Sequence, residues 1–302
     1  MRTTKAWIQA ARLRTLPLSI AGILAAGALA ISTGQFDGWI LAGSLLTAIG
    51  FQVLSNFAND YGDGVKGTDN EDRVGPERAL QSGTLTAAGL KKGMILTGVI
   101  TFLLAVALIY RAFGLENLPY ALLFLVLGLA AIIAAVKYTV GDSAYGYRGL
   151  GDLFVFIFFG MVSVVGGYFL YAKAIPGFVW LPAVTIGLWS TAVLHLNNMR
   201  DRESDEKVGK NTLAVKLGKK KSSFYHAFLI LGGIASALAY LLITAPDSYY
   251  AVVPLLPAGI LLAHLLKVIK TKDHKALDPQ LKVVALSTFL YSVLLLISSL
   301  LA

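Results

Sequence analysis

Two short stretches of this chain carry residue types and spacings that could do chemistry. Asn56, Asp60 and Asp63 recur at i, i+4 and i+7, within about 60° of one another on an α-helix. Asn197, Asp201 and Asp205 recur at i, i+4 and i+8, again on roughly one face, and Asn59 stands beside the first set. Two carboxylate clusters that face each other repel unless cations lie between them. Mg²⁺ suits such a place: it takes oxygen ligands, keeps several waters, and typically joins one or two carboxylates to substrate phosphates. Lys66, Arg73, Arg78, Lys137, Arg148 and Lys210 stand near the acids in sequence, and such side chains hold phosphate oxygens. Both stretches end apolar runs. The pattern predicts a substrate with a diphosphate head and an apolar tail. Asp69, Glu71, Glu77, Glu203 and Glu206 lack this phasing and read as solvated loop charge. His195 lies about 120° off the Asp201 face and reads as a packed or capping residue.

The elements that position these residues are membrane spans. The chain is 56% hydrophobic and 14% charged, where a soluble domain is about 45–50% apolar and about 25% charged. Nine runs are long and apolar enough to cross a bilayer, at approximately 16–34, 39–58, 93–112, 118–136, 153–171, 178–197, 224–245, 249–269 and 282–301. The expected fold is an all-α membrane protein, a single-domain bundle of nine transmembrane helices. All but two of the 26 Lys and Arg residues, Arg111 and Lys173, fall in the N-terminal arm or in the loops after the even-numbered spans. Cytoplasmic loops concentrate Lys and Arg. This predicts a cytoplasmic N-terminus, an external C-terminus, and both acidic motifs at the cytoplasmic surface of the cell (inner) membrane. The net charge of +9 is then a topology signal, and no nucleic-acid partner is expected. Lys219, Lys220 and Lys221 read as an anchor for anionic membrane lipids. Ala28-Leu29-Ala30 would suit leader cleavage, but the first span is expected to be retained. The absence of cysteine rules out disulfides, a thiolate nucleophile and a cysteine-bound metal.

The stretches "NDYGDGVKG…DRVGPERALQSG" and "NNMRDRESDEKVGKNTLAVKLG" resemble the UbiA superfamily of intramembrane aromatic prenyltransferases, and within it the menaquinone branch. "KYTVGDSAYGYRGLGDLFVFIFFG" and "RLRTLPLS" are similar to further stretches of that branch. The resemblance covers almost the whole chain and implies a nine-helix bundle with cytosolic motif loops. It also implies an activity. A polyprenyl diphosphate binds through Mg²⁺ to the two acidic motifs and ionises. The aromatic acid 1,4-dihydroxy-2-naphthoate then attacks the allylic cation and loses CO₂, giving demethylmenaquinone. Carried over by position, Asn56, Asp60 and Asp63 match the first metal motif, and Asp201 and Asp205 match the second, with Asn197 one turn earlier. Arg78 matches a basic residue of the first motif's tail, Lys137 and Tyr138 match a basic–aromatic pair, and Lys210 lies in "GKNTLA". The superfamily pattern places a third acid where this chain has Gly67, leaving Asp69 and Asp72 as alternatives. Tyr138, Tyr145 and Tyr147 are candidates to face the allylic cation. Arg14, Lys137 and Arg148 are candidates to hold the aromatic carboxylate. Two other readings compete: a prenyltransferase for another acceptor, such as 4-hydroxybenzoate, and a secondary transporter, since carboxylates at a membrane also mark ion pathways.

Overall fold

The computed structural model describes residues 2–67, 78–244 and 250–301, and every regular element among them is helical. A short amphipathic helix, α1 (Arg2–Ala11), precedes α2 (Leu16–Ser32), α3 (Gly38–Lys66), α4 (Ala87–Phe113) and α5 (Leu118–Lys137). Then come α6 (Gly151–Ala172), α7 (Trp180–Arg200), the short α8 (Arg202–Lys207), α9 (Leu213–Thr244), α10 (Leu256–Lys270) and α11 (Asp278–Leu301). Among the described residues, nine helices are long and apolar enough to span a bilayer, one for each apolar run.

Two helices extend furthest beyond their apolar runs. α3 continues about two turns beyond its apolar run, through Asp60 and Asp63 to Lys66, and closes on Gly67 at φ 70°. Hydropathy marks where apolar side chains end, whereas the backbone hydrogen bonds continue. α9 begins at Leu213, ahead of its apolar run, with a break at Gly218 (φ 69°, ψ 176°), a conformation open mainly to glycine. Helix starts follow local chemistry. Asp37 accepts from the backbone N–H groups of Trp39 and Ile40 at 2.8 and 3.2 Å, and Thr86 accepts from Gly89, relieving orphan donors.

α2 is the hub. Its Ala21, Ala25, Ala26, Ala28, Leu29 and Ala30 are buried, and it packs most extensively against α11. Small side chains allow the close approach that membrane helices use for van der Waals packing. The central apolar cluster joins α2 and α6 to Trp189, Leu229, Leu261 and Tyr291, with Trp189 edge-on to Tyr291 at 5.4 Å. A second cluster seats α1 on α3 and α4 through Ala6, Ala10, Phe57 and Leu90.

α6 is π-helical from Phe156 to Gly166, and single π-turns are the usual form, often at functional sites. Within it Gly160 crosses Gly187 of α7. A Cβ at Gly160 would stand 2.7 Å from both the Ala183 carbonyl oxygen and the Gly187 Cα. These are backbone atoms, so the helices themselves would have to part. Gly160→Ala is expected to destabilise the bundle by about 1–3 kcal/mol, read as a lower unfolding temperature in detergent. An unchanged temperature would show that this crossing has slack.

Alternate helices run in opposite directions, so the ends of α3, α5, α7 and α10 and the starts of α2, α4, α6, α9 and α11 meet at one end of the bundle. Contacts across that end include Arg12 with Asp60, Tyr147 with Asp63, and Arg200 with Asp278.

Candidate active site

A cavity of about 780 Å³ runs inward from this end. Ser44, Thr47, Phe51, Ser55, Asn59 and Asp63 line it along one face of α3. These 20 positions rise about 28 Å along the helix, close to the thickness of a bilayer's hydrocarbon core. The deep end is apolar, with Leu108, Ile109, Phe158 and Leu170, while Arg14, Arg78, Asn197 and Lys210 line the motif end. The cavity is therefore amphipathic along its length, charged at one end and greasy at the other.

The two acidic motifs meet at this end of the bundle: Asp63 lines the cavity, Asp60 lines a smaller one with Arg12 and Arg78, and Asp201 and Asp205 stand behind Arg200 and Lys210, which line the wall. Asp60, Asp63, Asp201 and Asp205 are all buried. Each faces a donor from another part of the chain or from its own neighbour. Asp60 accepts from Arg12 at 3.2 Å and from the Ala79 backbone N–H at 3.2 Å, with Arg78 Nε at 3.6 Å. Asp63 accepts from the Tyr147 hydroxyl at 2.8 Å. Asp201 accepts two bonds from Arg200, at 2.8 and 2.6 Å. Lys210 Nζ lies 3.6 Å from Asp205. Four carboxylates are thus interleaved with Arg12, Arg78, Arg200 and Lys210.

The electrostatics show how close the two motifs lie. Burial pushes the Asp205 carboxyl up to about 6; Lys210 opposes the shift, and the charges of Asp201 and Asp63 add to it. Burial works to lower the Lys210 ammonium, but Asp63 and Asp205, with Tyr147 and Asp201, outweigh it and leave its pKa raised. Burial also raises the Tyr138 phenol, reinforced by Asp63, Asp152 and Asp205. Tyr138 and Tyr145 both line the cavity and meet edge to face at 5.3 Å. Two ammonium groups lie over the Tyr147 ring, with Lys66 Nζ 4.0 Å and Lys210 Nζ 5.5 Å from its centre.

Other expected site residues fall elsewhere. Asn56 is buried and donates to the Ala11 carbonyl at 2.8 Å and the Thr15 hydroxyl at 3.1 Å, and its own amide oxygen accepts from Gln52. It ties the link between α1 and α2 to α3 and does not line the cavity. Asn59 does line it. Lys66 donates to the Gly141 carbonyl. Lys66, Lys137 and Arg148 are exposed and outside the cavity wall. Arg73, Asp69 and Asp72 lie outside the described residues. His195 is fully buried in α7, with Nδ1 3.1 Å from Asp152, as a packed residue would be.

Sequence reasoning missed Arg12 and Arg200 as partners of the acids. Arg12 sits in the left-handed region (φ 51°, ψ 57°) between α1 and α2, uncommon for a residue with a side chain. That kink aims its guanidinium at Asp60. Arg200 precedes Asp201 by one position, which on a continuous helix is about 100° away. The α7 helix ends at Arg200, so the two side chains meet.

The donor set fits a hard, oxygen-seeking divalent cation. The candidate ligands are carboxylate and amide oxygens, and Asp205 Oδ2 is buried without a hydrogen-bond partner, an expensive state that a cation would relieve. Among the described residues, no three acidic or histidine groups already stand close enough to form a complete cation cage.

Comparison with known proteins agrees with this geometry. The UbiA prenyltransferase family pattern matches residues 19–296. The chain is 42% identical over 279 residues to 1,4-dihydroxy-2-naphthoate octaprenyltransferase of Escherichia coli, covering 92% of this chain and 90% of that protein. It is also 42% identical over 293 residues to the protein of the same name from Haemophilus influenzae, covering 96% and 94%. A UbiA homologue from Aeropyrum pernix shares the fold at TM-score 0.67 and 18% identity, over 92% of this chain and 97% of that one. A homologue from Archaeoglobus fulgidus, solved with DMAPP and Mg²⁺, superposes at TM-score 0.59 and 14% identity, over 96% and 99%. The helix count, the meeting of two acidic motifs at one end of the bundle, and a family match over nearly the whole length agree: this multi-pass membrane protein belongs to the UbiA prenyltransferase family.

Proposed function

We propose that this enzyme transfers a polyprenyl group from its diphosphate to 1,4-dihydroxy-2-naphthoate, with loss of CO₂ and diphosphate, in menaquinone biosynthesis. The carrying observation is the 42% identity, over nearly the full length, to two proteins named for that reaction. The allylic C–O bond breaks and its electron pair leaves with the diphosphate. A bond forms between prenyl C1 and the ring carbon bearing the carboxylate. That carboxylate departs as CO₂, leaving its electron pair to restore the aromatic ring. The product is the quinol form of demethylmenaquinone.

Asp60, Asp63, Asp201 and Asp205 would hold Mg²⁺, with Asn197 beside the second pair. When bound, Mg²⁺ would offset the negative charge of the diphosphate. Arg78 and Lys210, both on the cavity wall, bind the diphosphate oxygens. Arg14, on the same wall, would meet the aromatic carboxylate. The Tyr138 and Tyr145 rings offer π-faces to the allylic cation, a stabilisation of roughly 0.5–2 kcal/mol. The apolar wall beyond them holds the prenyl tail and excludes water that would capture the cation. The loops carrying the motifs face the cytoplasm in this reading, since they hold most of the Lys and Arg. The chain acts as one transmembrane domain in the cell membrane. A tag at the N-terminus is then accessible from the cytoplasm and one after Ala302 is not; protease protection placing both on one side would overturn that orientation.

Cation binding carries a pH signature. A proton and a cation compete for the Asp205 carboxylate, whose pKa is pushed up to about 6. Affinity is expected to be nearly flat above pH 7 and about tenfold weaker at pH 5. A carboxyl at its ordinary value of 3.8 would show almost no change over that interval. Mn²⁺ titration at the two pH values separates the cases.

The activity test uses purified protein in detergent with a polyprenyl diphosphate, Mg²⁺, and either 1,4-dihydroxy-2-naphthoate or 4-hydroxybenzoate, with lipid products read by mass. A decarboxylated prenyl-naphthalene product, lost on chelation, is the expected result. Product from 4-hydroxybenzoate alone would reassign the acceptor.

A further inference from the structure

Two members of the second acidic motif, Asn197 and Asp201, are already engaged by the protein's own charge. Arg200 ends α7 with its side chain 3% exposed. Its Nε donates to Asp201 Oδ1 at 2.8 Å, and its Nη2 donates to Asp201 Oδ2 at 2.6 Å and to Asn197 Oδ1 at 2.9 Å. One guanidinium therefore engages the three side-chain oxygens that Asn197 and Asp201 would offer a cation. The remaining arm, Nη1, donates to Asp278 Oδ1 at the start of α11. Asn197, Arg200 and Asp278 all line the cavity. Asp278 is itself 47% exposed, so it remains solvated whichever partner Arg200 takes.

This arrangement gives Arg200 two anionic partners, and only one of them belongs to the motif. A divalent cation arriving at Asp201 must displace a bidentate guanidinium, among the stronger charge-assisted pairs a protein makes. Asp278 keeps the displaced side chain at the cavity wall, with Nε and Nη2 left without acceptors. A planar fork of N–H donors matches phosphate oxygens as well as carboxylate oxygens. The diphosphate head is the anion available in that space.

We propose that Arg200 is an exchangeable counter-ion: it holds Asn197 and Asp201 in the metal-free enzyme, yields them to a divalent cation, and, tethered by Asp278, passes its freed donors to the diphosphate. The proposal rests on the reading that Asp201 binds the cation. It makes Arg200 a positioning residue for the motif and a ligand for the substrate head. It also makes cation and diphosphate binding mutually reinforcing, since each removes a cost the other would bear alone.

The test is Mn²⁺ titration of the full chain in detergent, at controlled free Mn²⁺, with and without inorganic pyrophosphate. The variants are Arg200→Gln, Arg200→Lys and Asp201→Asn, each checked for its unfolding temperature. Arg200→Gln is expected to bind Mn²⁺ alone at least about tenfold more tightly than the wild type, because the charge-assisted pair no longer has to be broken. The tightening of Mn²⁺ by pyrophosphate is expected to shrink at least about fivefold in the same variant. Arg200→Lys keeps the charge but loses the fork, so an intermediate gain distinguishes geometry from simple charge removal. It also keeps the test alive if the glutamine variant does not fold. If neither variant gains Mn²⁺ affinity while Asp201→Asn loses it, the exchange is wrong and the cation reading of Asp201 stands. If Asp201→Asn binds Mn²⁺ like the wild type, that reading fails and the exchange fails with it.

Discussion

Asp60→Asn and Asp201→Asn are each expected to lower turnover at least about 100-fold, the scale lost when one element of charge stabilisation is removed from a transition state. Asparagine keeps the shape of aspartate and one acceptor oxygen, so the Ala79 N–H that Asp60 accepts retains a partner. What is lost is one negative charge at the place where the diphosphate must be gathered and its C–O bond broken. Both variants are expected to remain folded though less stable, because each leaves a largely buried arginine with one acidic partner fewer while neither acid sits in the apolar clusters that hold the helices together. The measurement is kcat alongside unfolding temperature. Turnover near the wild type in both variants would sink the assignment of these acids to the site.

The second large effect is expected at Lys210. Its ammonium lies 3.6 Å from Asp205, 5.5 Å from the centre of the Tyr147 ring, and on the cavity wall. Lys210→Met keeps much of the length and apolar stem while removing the charge. The end of the cavity then becomes more acidic by one unit, against an anionic substrate. A loss of about 10²–10³ in kcat/KM is expected, with KM for the polyprenyl diphosphate rising as kcat falls. Lys210→Arg should restore part of the loss. A variant with only its stability lowered would show that Lys210 merely neutralises Asp205.

Much of this was legible in the sequence because two signals are local. Apolar runs set the helices, and their alternation with basic loops groups the ends. The i, i+4 phasing of Asp60 with Asn56 put the first motif on one helix, and even-numbered spans brought both motifs to one end. The second motif, read as one face of a continuous helix, is instead split, because α7 ends at Arg200 and Asp205 stands on α8. What was not legible depends on tertiary geometry. Asp278 meets Arg200 across 78 positions and Arg12 meets Asp60 across 48, and no periodicity links such pairs. Asn56 has the phase of the acids, yet its amide is consumed by Ala11 and Thr15. Phase alone cannot distinguish a residue facing a cavity from one facing a neighbouring turn. Lys66, Lys137 and Arg148 had the right charge and neighbourhood. All three are exposed, and Lys66 spends its ammonium on the Gly141 carbonyl and the Tyr147 ring, contacts that no sequence spacing announces.

The interleaving of Arg12, Arg78, Arg200 and Lys210 among the four acids also bears on how the protein is made. Small metallo-domains that depend on an ion to cancel their charges do not fold until it arrives. Here the chain carries its own neutralising groups to the same place. It can be inserted and packed during synthesis whatever the local supply of divalent ions. Under the proposed function, a chain short of its divalent cation would stay packed in the membrane, idle but intact, and would resume turnover when the ion returned, without new protein being made.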